Sequence, residues 1–134
     1  MLYPMFAMVL LTLGVGVIAL KTRFNSVKNK EISPRYYLTM KAEDGEVVPE
    51  FVHKTTRLLN NMFEMPVLFY VAGTLAIAME IQSTAAVITA WVFVASRIAH
   101  AWIYLTYNNL IHRMRIFWVG IVAVVVLWIL LLIA

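Results

Sequence analysis

The chain contains no cysteine. Disulfides, thiolate metal ligands and a cysteine nucleophile are therefore excluded, while the redox compartment stays open. No two of its histidines stand at metal-ligand spacing with a carboxylate nearby, so no metal site is expected. It also lacks a phosphate loop, a nucleophile elbow and a HExxH helix. Internal repeats and low-complexity tracts are absent, and 134 residues leave no room for a separate soluble module. Charge is scarce: 13% of the residues are Asp, Glu, Lys or Arg, whereas 63% are apolar. Soluble domains average about 45–50% apolar. The excess requires a solvent other than water.

A helix rises ~1.5 Å per residue, so about 20 apolar residues cross a hydrocarbon core ~30 Å thick. Four segments qualify: residues 2–20, without charge; 62–81, with Glu64 and Glu80 near the ends; 84–105, with Arg97 inside; and 116–134. The prediction is all-α, an integral membrane four-helix bundle forming one domain over residues 1–134. The first segment lacks a basic n-region and outruns the apolar stretch of a signal peptide, so it is expected to remain as a span.

The formal net charge is +4, and six of the eleven basic residues (Lys21, Arg23, Lys28, Lys30, Arg35, Lys41) fall directly after the first span. That placement points to anionic lipid headgroups as partners and away from nucleic acid. The turn at residues 80–83 has no basic residue, while the third connection carries His112, Arg113 and Arg115. Loops one and three are thus expected on the cytoplasmic side, with both termini outside. Ser33-Pro34 and Asp44-Gly45 mark turns within loop one. Helix two is expected to begin near Pro49 and to project about three turns before entering the bilayer. Residues 130–134 carry no retrieval signal, which with the compact form points to a bacterial inner membrane.

Polar residues inside the spans are costly, about 2.5–3.5 kcal/mol at the centre for a charged one. His53, Arg57, Asn61 and Glu64 are spaced by four, four and three, one face of helix two, with Asn60 beside them. Arg97, His100, Tyr104 and Asn108 are spaced by three, four and four along helix three. Each stripe reads either as an interhelical network that locks the bundle or as a pocket for an anionic or zwitterionic ligand. Glu64 is the expected partner of Arg97. Pro66 removes the hydrogen bond to the carbonyl of Met62, so a kink is expected beside Glu64. Arg113 and Arg115 also suit positive-inside residues, and Tyr3, Trp91, Trp102, Trp118 and Trp128 suit interface anchors or lipid-facing bulk.

The stretch 55–69, with Arg57, Asn61, Glu64, Pro66 and Phe69, resembles the second-helix signature of the MAPEG family, the membrane-associated proteins of eicosanoid and glutathione metabolism. Arg97, His100 and Tyr104 resemble its third-helix Arg-x-x-His-x-x-x-Tyr. The resemblance implies a homotrimer with glutathione as cosubstrate, held between subunits near the cytoplasmic face. It implies that Arg57, Asn61 and Glu64 hold the tripeptide, with Arg97, His100 and Tyr104 along the same pocket, and that Arg113 stabilises the thiolate. The lipophilic small-molecule substrate would arrive from the bilayer. Three positions depart from the pattern of some active members: Phe117 replaces a tyrosine, Met114 a small hydroxyl residue and Asn60 an arginine. They argue against eicosanoid chemistry and leave thiol activation open.

Two readings follow. One is a glutathione-dependent transferase or peroxidase for small lipophilic electrophiles. The other is a non-catalytic membrane scaffold or lipid-binding trimer that keeps the polar stripe for packing. Transport is disfavoured, because four spans show no inverted repeat and the internal charges cluster towards one side.

Overall fold

The computed structural model describes residues 1–45, 47–81 and 83–134. The described residues form six helices: α1 (Leu2–Lys28), α2 (Tyr36–Thr39), α3 (Glu50–Glu64), α4 (Pro66–Ala78), α5 (Thr84–Leu105) and α6 (Leu110–Leu132). No strand occurs among them. Taking α3 and α4 together, four helices are long and apolar enough to cross a membrane. Leu13, Val17, Leu68, Val71, Ile88 and Val122 face outward on them, as a hydrocarbon solvent permits. The protein is an all-α integral membrane protein. Gln82, in the expected turn between spans two and three, lies outside the described residues.

Local chemistry sets the helix ends. The Ser83 side chain accepts from the Ala86 amide at 3.2 Å and caps α5. Asn109 caps α6, accepting from the Ile111 and His112 amides at 3.0 and 3.1 Å. Pro66 is the first residue of α4, and at Met65 only the hydrogen-bond ladder is interrupted: its backbone stays helical (φ −68°, ψ −40°) and its amide still reaches the Asn61 carbonyl at 3.3 Å. Proline lacks the donor that would continue the ladder. α6 starts at Leu110, six residues ahead of the apolar run that begins at Ile116, because the Asn109 cap, not hydropathy, decides where it begins.

At 27 residues, α1 is about 40 Å long, more than the hydrocarbon core needs. Its final turns form a small second core with the first loop. Ile32, Tyr36 and Val52 are buried there against Val27, Tyr37 and Val48. Ser26 Oγ and Tyr37 Oη share a hydrogen bond of 2.7 Å, and the Arg23 guanidinium lies 5.7 Å from the Tyr37 ring centre. The main core runs along the bundle through Met8, Leu58, Met62, Phe69, Phe93 and Leu127. Phe69 and Phe93 stack with centroids 4.5 Å apart, joining α4 to α5.

The α5–α6 pair is the most closely packed in the molecule, and Gly120 permits it. A Cβ at this position would lie 2.9 Å from Ser96 Oγ. That hydroxyl is fixed by donating to the Phe93 carbonyl at 2.6 Å. Gly120→Val is therefore expected to cost ~1–3 kcal/mol through overpacking, read as a lower thermal midpoint in detergent. An unchanged midpoint would show that the two helices separate without penalty.

Candidate functional site

Near the α5–α6 turn, α3, the end of α5 and the start of α6 enclose a cavity of about 300 Å³. Arg57 and Asn61 line it from α3, His100 and Tyr104 from α5, and Leu110, Arg113, Met114 and Phe117 from α6. Arg97, one turn before His100, stands behind this wall with 0% of its surface exposed. The structure thus gathers Arg57, Asn61, His100, Tyr104 and Arg113 around one space, with Arg97 at its back.

Arg97 donates from Nη2 to the Asn61 side-chain oxygen. Its Nε and Nη1 are buried and meet no acceptor among the described residues. Phe117 covers the guanidinium, its ring centre 5.6 Å from Cζ. The expected partner, Glu64, is exposed, and no Arg97–Glu64 ion pair forms among the described residues. Helix geometry explains this. At 3.6 residues per turn Glu64 lies about 20° from Arg57 around the helix and Asn61 about 40° from it on the other side. Asn61 turns in towards α5, Arg57 is exposed at the cavity, and Glu64 is exposed and outside the lining.

Arg113 is held on two sides. Its guanidinium lies over the Tyr104 ring, 3.8 Å from the centroid, and Nη1 donates to Asn108 Oδ1 at 2.8 Å. Its Nε is buried without an acceptor among the described residues. His100 also has a buried Nδ1 without a partner there, with its ring 5.7 Å from Tyr104 and 6.0 Å from Phe117. Among the described residues the lining contains no carboxylate. Guanidinium N–H groups without acceptors beside an open, water-accessible cavity are donors able to meet an anion.

Asn108 is not on the α5 face that its spacing suggested. The helix ends at Leu105, and Asn108 sits in the turn with φ at +47°, its amide donating to the Ile103 carbonyl at 2.8 Å. His53 and Asn60 are exposed and do not line the cavity. Leu110, which helps close the space, carried no polar signal in the sequence. No group of three or more His, Cys, Asp or Glu able to hold a metal occurs among the described residues. A separate apolar groove of about 600 Å³ runs between α1 and the α3–α4 helix, past Val9, Gly16, Met62 and Tyr70, and shares no residue with the cavity.

The chain is a membrane bundle with a cavity at one end whose described lining carries arginines and no carboxylate. The family model described as MAPEG family matches residues 1–133, and the chain belongs to that family. No curated protein and no solved structure matches it.

Asn61→Leu leaves the Arg97 guanidinium without its acceptor and is expected to destabilise by about 1–3 kcal/mol. Adding Arg97→Leu should recover part of this, giving a coupling of roughly 0.5–3 kcal/mol in a double-mutant cycle. Strict additivity of the two substitutions would remove the Asn61–Arg97 contact from the stability of the bundle.

Proposed function

We propose that the protein binds glutathione in this cavity and conjugates it through its sulfur to small lipophilic electrophiles, or reduces lipophilic peroxides with it. The carrying observation is the pair Arg57 and Arg113 in a lining without carboxylates among the described residues, with Arg97 buried behind it and buried N–H groups of Arg97 and Arg113 lacking acceptors there. Glutathione supplies two carboxylates and, once deprotonated, a thiolate. Arg57 presents a planar fork suited to one carboxylate. Asn61 and His100 offer further polar contacts, and the fully buried Arg97 contributes positive potential from behind. Tyr104 lies along the cavity. Glu64 is exposed on nearly the same strip as Arg57, and it suits the α-amino group where a neighbouring chain closes the site. A homotrimer is the assembly proposed on the family resemblance.

Arg113 is the catalytic cation in this reading. A guanidinium beside the sulfur favours the thiolate, the nucleophilic form, and the thiol proton leaves to solvent. In conjugation the thiolate electron pair forms the S–C bond and the leaving group departs with its own pair. In peroxide reduction the thiolate takes the terminal oxygen, the alkoxide leaves as the protonated alcohol, and a second glutathione converts the sulfenic acid to disulfide and water. Met114 and Phe117 give the space an apolar side for the electrophile, which arrives laterally from the bilayer. The basic first and third loops support a cytoplasmic cavity with both termini outside.

Calorimetric titration of glutathione into the detergent-purified protein tests binding. Arg57→Ala is expected to weaken affinity about tenfold or more, the scale of a lost charge-assisted hydrogen bond. Arg113→Ala is expected to retain most of the binding and to lose the thiolate. No heat up to millimolar glutathione with folded protein would reject the ligand and favour the non-catalytic scaffold, in which the same arginines serve packing alone.

The absence of native cysteine allows topology to be read from single introduced thiols. Ser33→Cys is expected to react with an impermeant maleimide only in inverted vesicles, and Leu2→Cys only in right-side-out ones. The reverse pattern would invert the orientation and place the cavity outside.

A further inference from the structure

The turn between α5 and α6 does more than reverse the chain. Asn108 occupies it in the left-handed region, φ +47°, where asparagine is tolerated far better than bulky or β-branched residues. Its own amide is tied to the Ile103 carbonyl at 2.8 Å, so the backbone that carries the side chain is fixed by α5. From there Oδ1 accepts from Arg113 Nη1 at 2.8 Å, and the Tyr104 ring closes the other side of the guanidinium at 3.8 Å. Arg113 is thereby held over the cavity mouth by one residue of the turn and one residue of α5. The adjacent Asn109 plays a separate part, since its side chain caps the Ile111 and His112 amides of α6.

We infer that Asn108 is a positioning residue for Arg113, holding the guanidinium with its side-chain carbonyl so that the cation meets the glutathione sulfur. The inference rests on the proposed binding of glutathione. A neutral carbonyl suits this role, because it fixes the guanidinium without neutralising it, as a carboxylate would. Tyr104 acts alongside it by stacking against the same guanidinium, at the distance of a cation–π contact.

The two neighbouring asparagines separate positioning from folding. Asn108→Gly keeps the left-handed turn, which glycine adopts without strain, and removes the side-chain carboxamide whose oxygen accepts from Arg113. Asn109→Ala removes the helix cap and leaves Asn108 and Arg113 in place. The readout is the ultraviolet absorbance of bound glutathione thiolate titrated against pH, with thermal midpoint and glutathione affinity measured on the same samples. Asn108→Gly is expected to raise the pKa of the bound thiol by about one unit, roughly tenfold less thiolate at a given pH below it, with midpoint and affinity close to wild type. Asn109→Ala is expected to lower the midpoint and leave the titration unchanged. An Asn108→Gly titration that overlays wild type overturns the inference alone. So does an equal shift in Asn109→Ala, because it would report only a loosened turn. A wild-type protein that forms no bound thiolate overturns the glutathione reading first, and the role of Asn108 with it.

Discussion

Moving a guanidinium from water into an apolar bundle carries a desolvation cost of several kcal/mol, and Arg97 bears it with none of its surface exposed. The surrounding structure is arranged around that group. Asn61 turns inward from α3 to accept from it, and Phe117 from α6 lies across it. Gly120 lets α6 approach closely enough to cover the residue next to it. Because Nε and Nη1 remain without acceptors among the described residues, the stabilisation is incomplete, and the cavity in front of Arg97 is left with a positive field. A buried cation at the back and two more at the wall make this end of the bundle an attractive place for an anion.

The same end of the bundle carries the excess of positive charge outside the cavity. The final turns of α1 and the start of α3 meet in the small second core, and α3 and α6 meet at the cavity, so the basic first loop and the arginines of α6 share one side. Charge that orients a membrane protein during insertion therefore lies close to charge that lines the cavity. An anionic ligand approaching from that side meets basic residues before it reaches the cavity.

The four long helices were legible because apolar length is a coarse, redundant signal; one misjudged residue does not erase a span. The residue set around the cavity was legible as far as helical spacing and family resemblance reach: Arg57 and Asn61 on one helix, Arg97, His100 and Tyr104 on another. Pairing was not. Spacing assigns a residue to a face but does not resolve the rotation of about 60° that sends Asn61 inward and Glu64 outward, so the acceptor of Arg97 is Asn61 and not the expected Glu64. Asn108 departs from expectation for a different reason. A four-residue interval after Tyr104 reads as helix, whereas the chain leaves the helix after Leu105 and enters the left-handed region. Turn geometry is decided by local hydrogen bonding that periodicity ignores.

The first loop divides into two parts with different physical fates. Residues Ile32 and Tyr36 are anchored in the small core with Val52, and Tyr37 is hydrogen-bonded to Ser26. Beyond them, Met40 to Gly45 are exposed, and the Arg35–Glu43 contact of 3.8 Å is a solvent-exposed pair. Exposed loop tips of this kind tolerate insertion and nicking. The first span is therefore joined to the rest of the bundle by the small core and, through Met8 and Val15, by the main core, as well as by the covalent thread across the tip. A peptide tag grafted between Lys41 and Gly45 would ride on a closed joint.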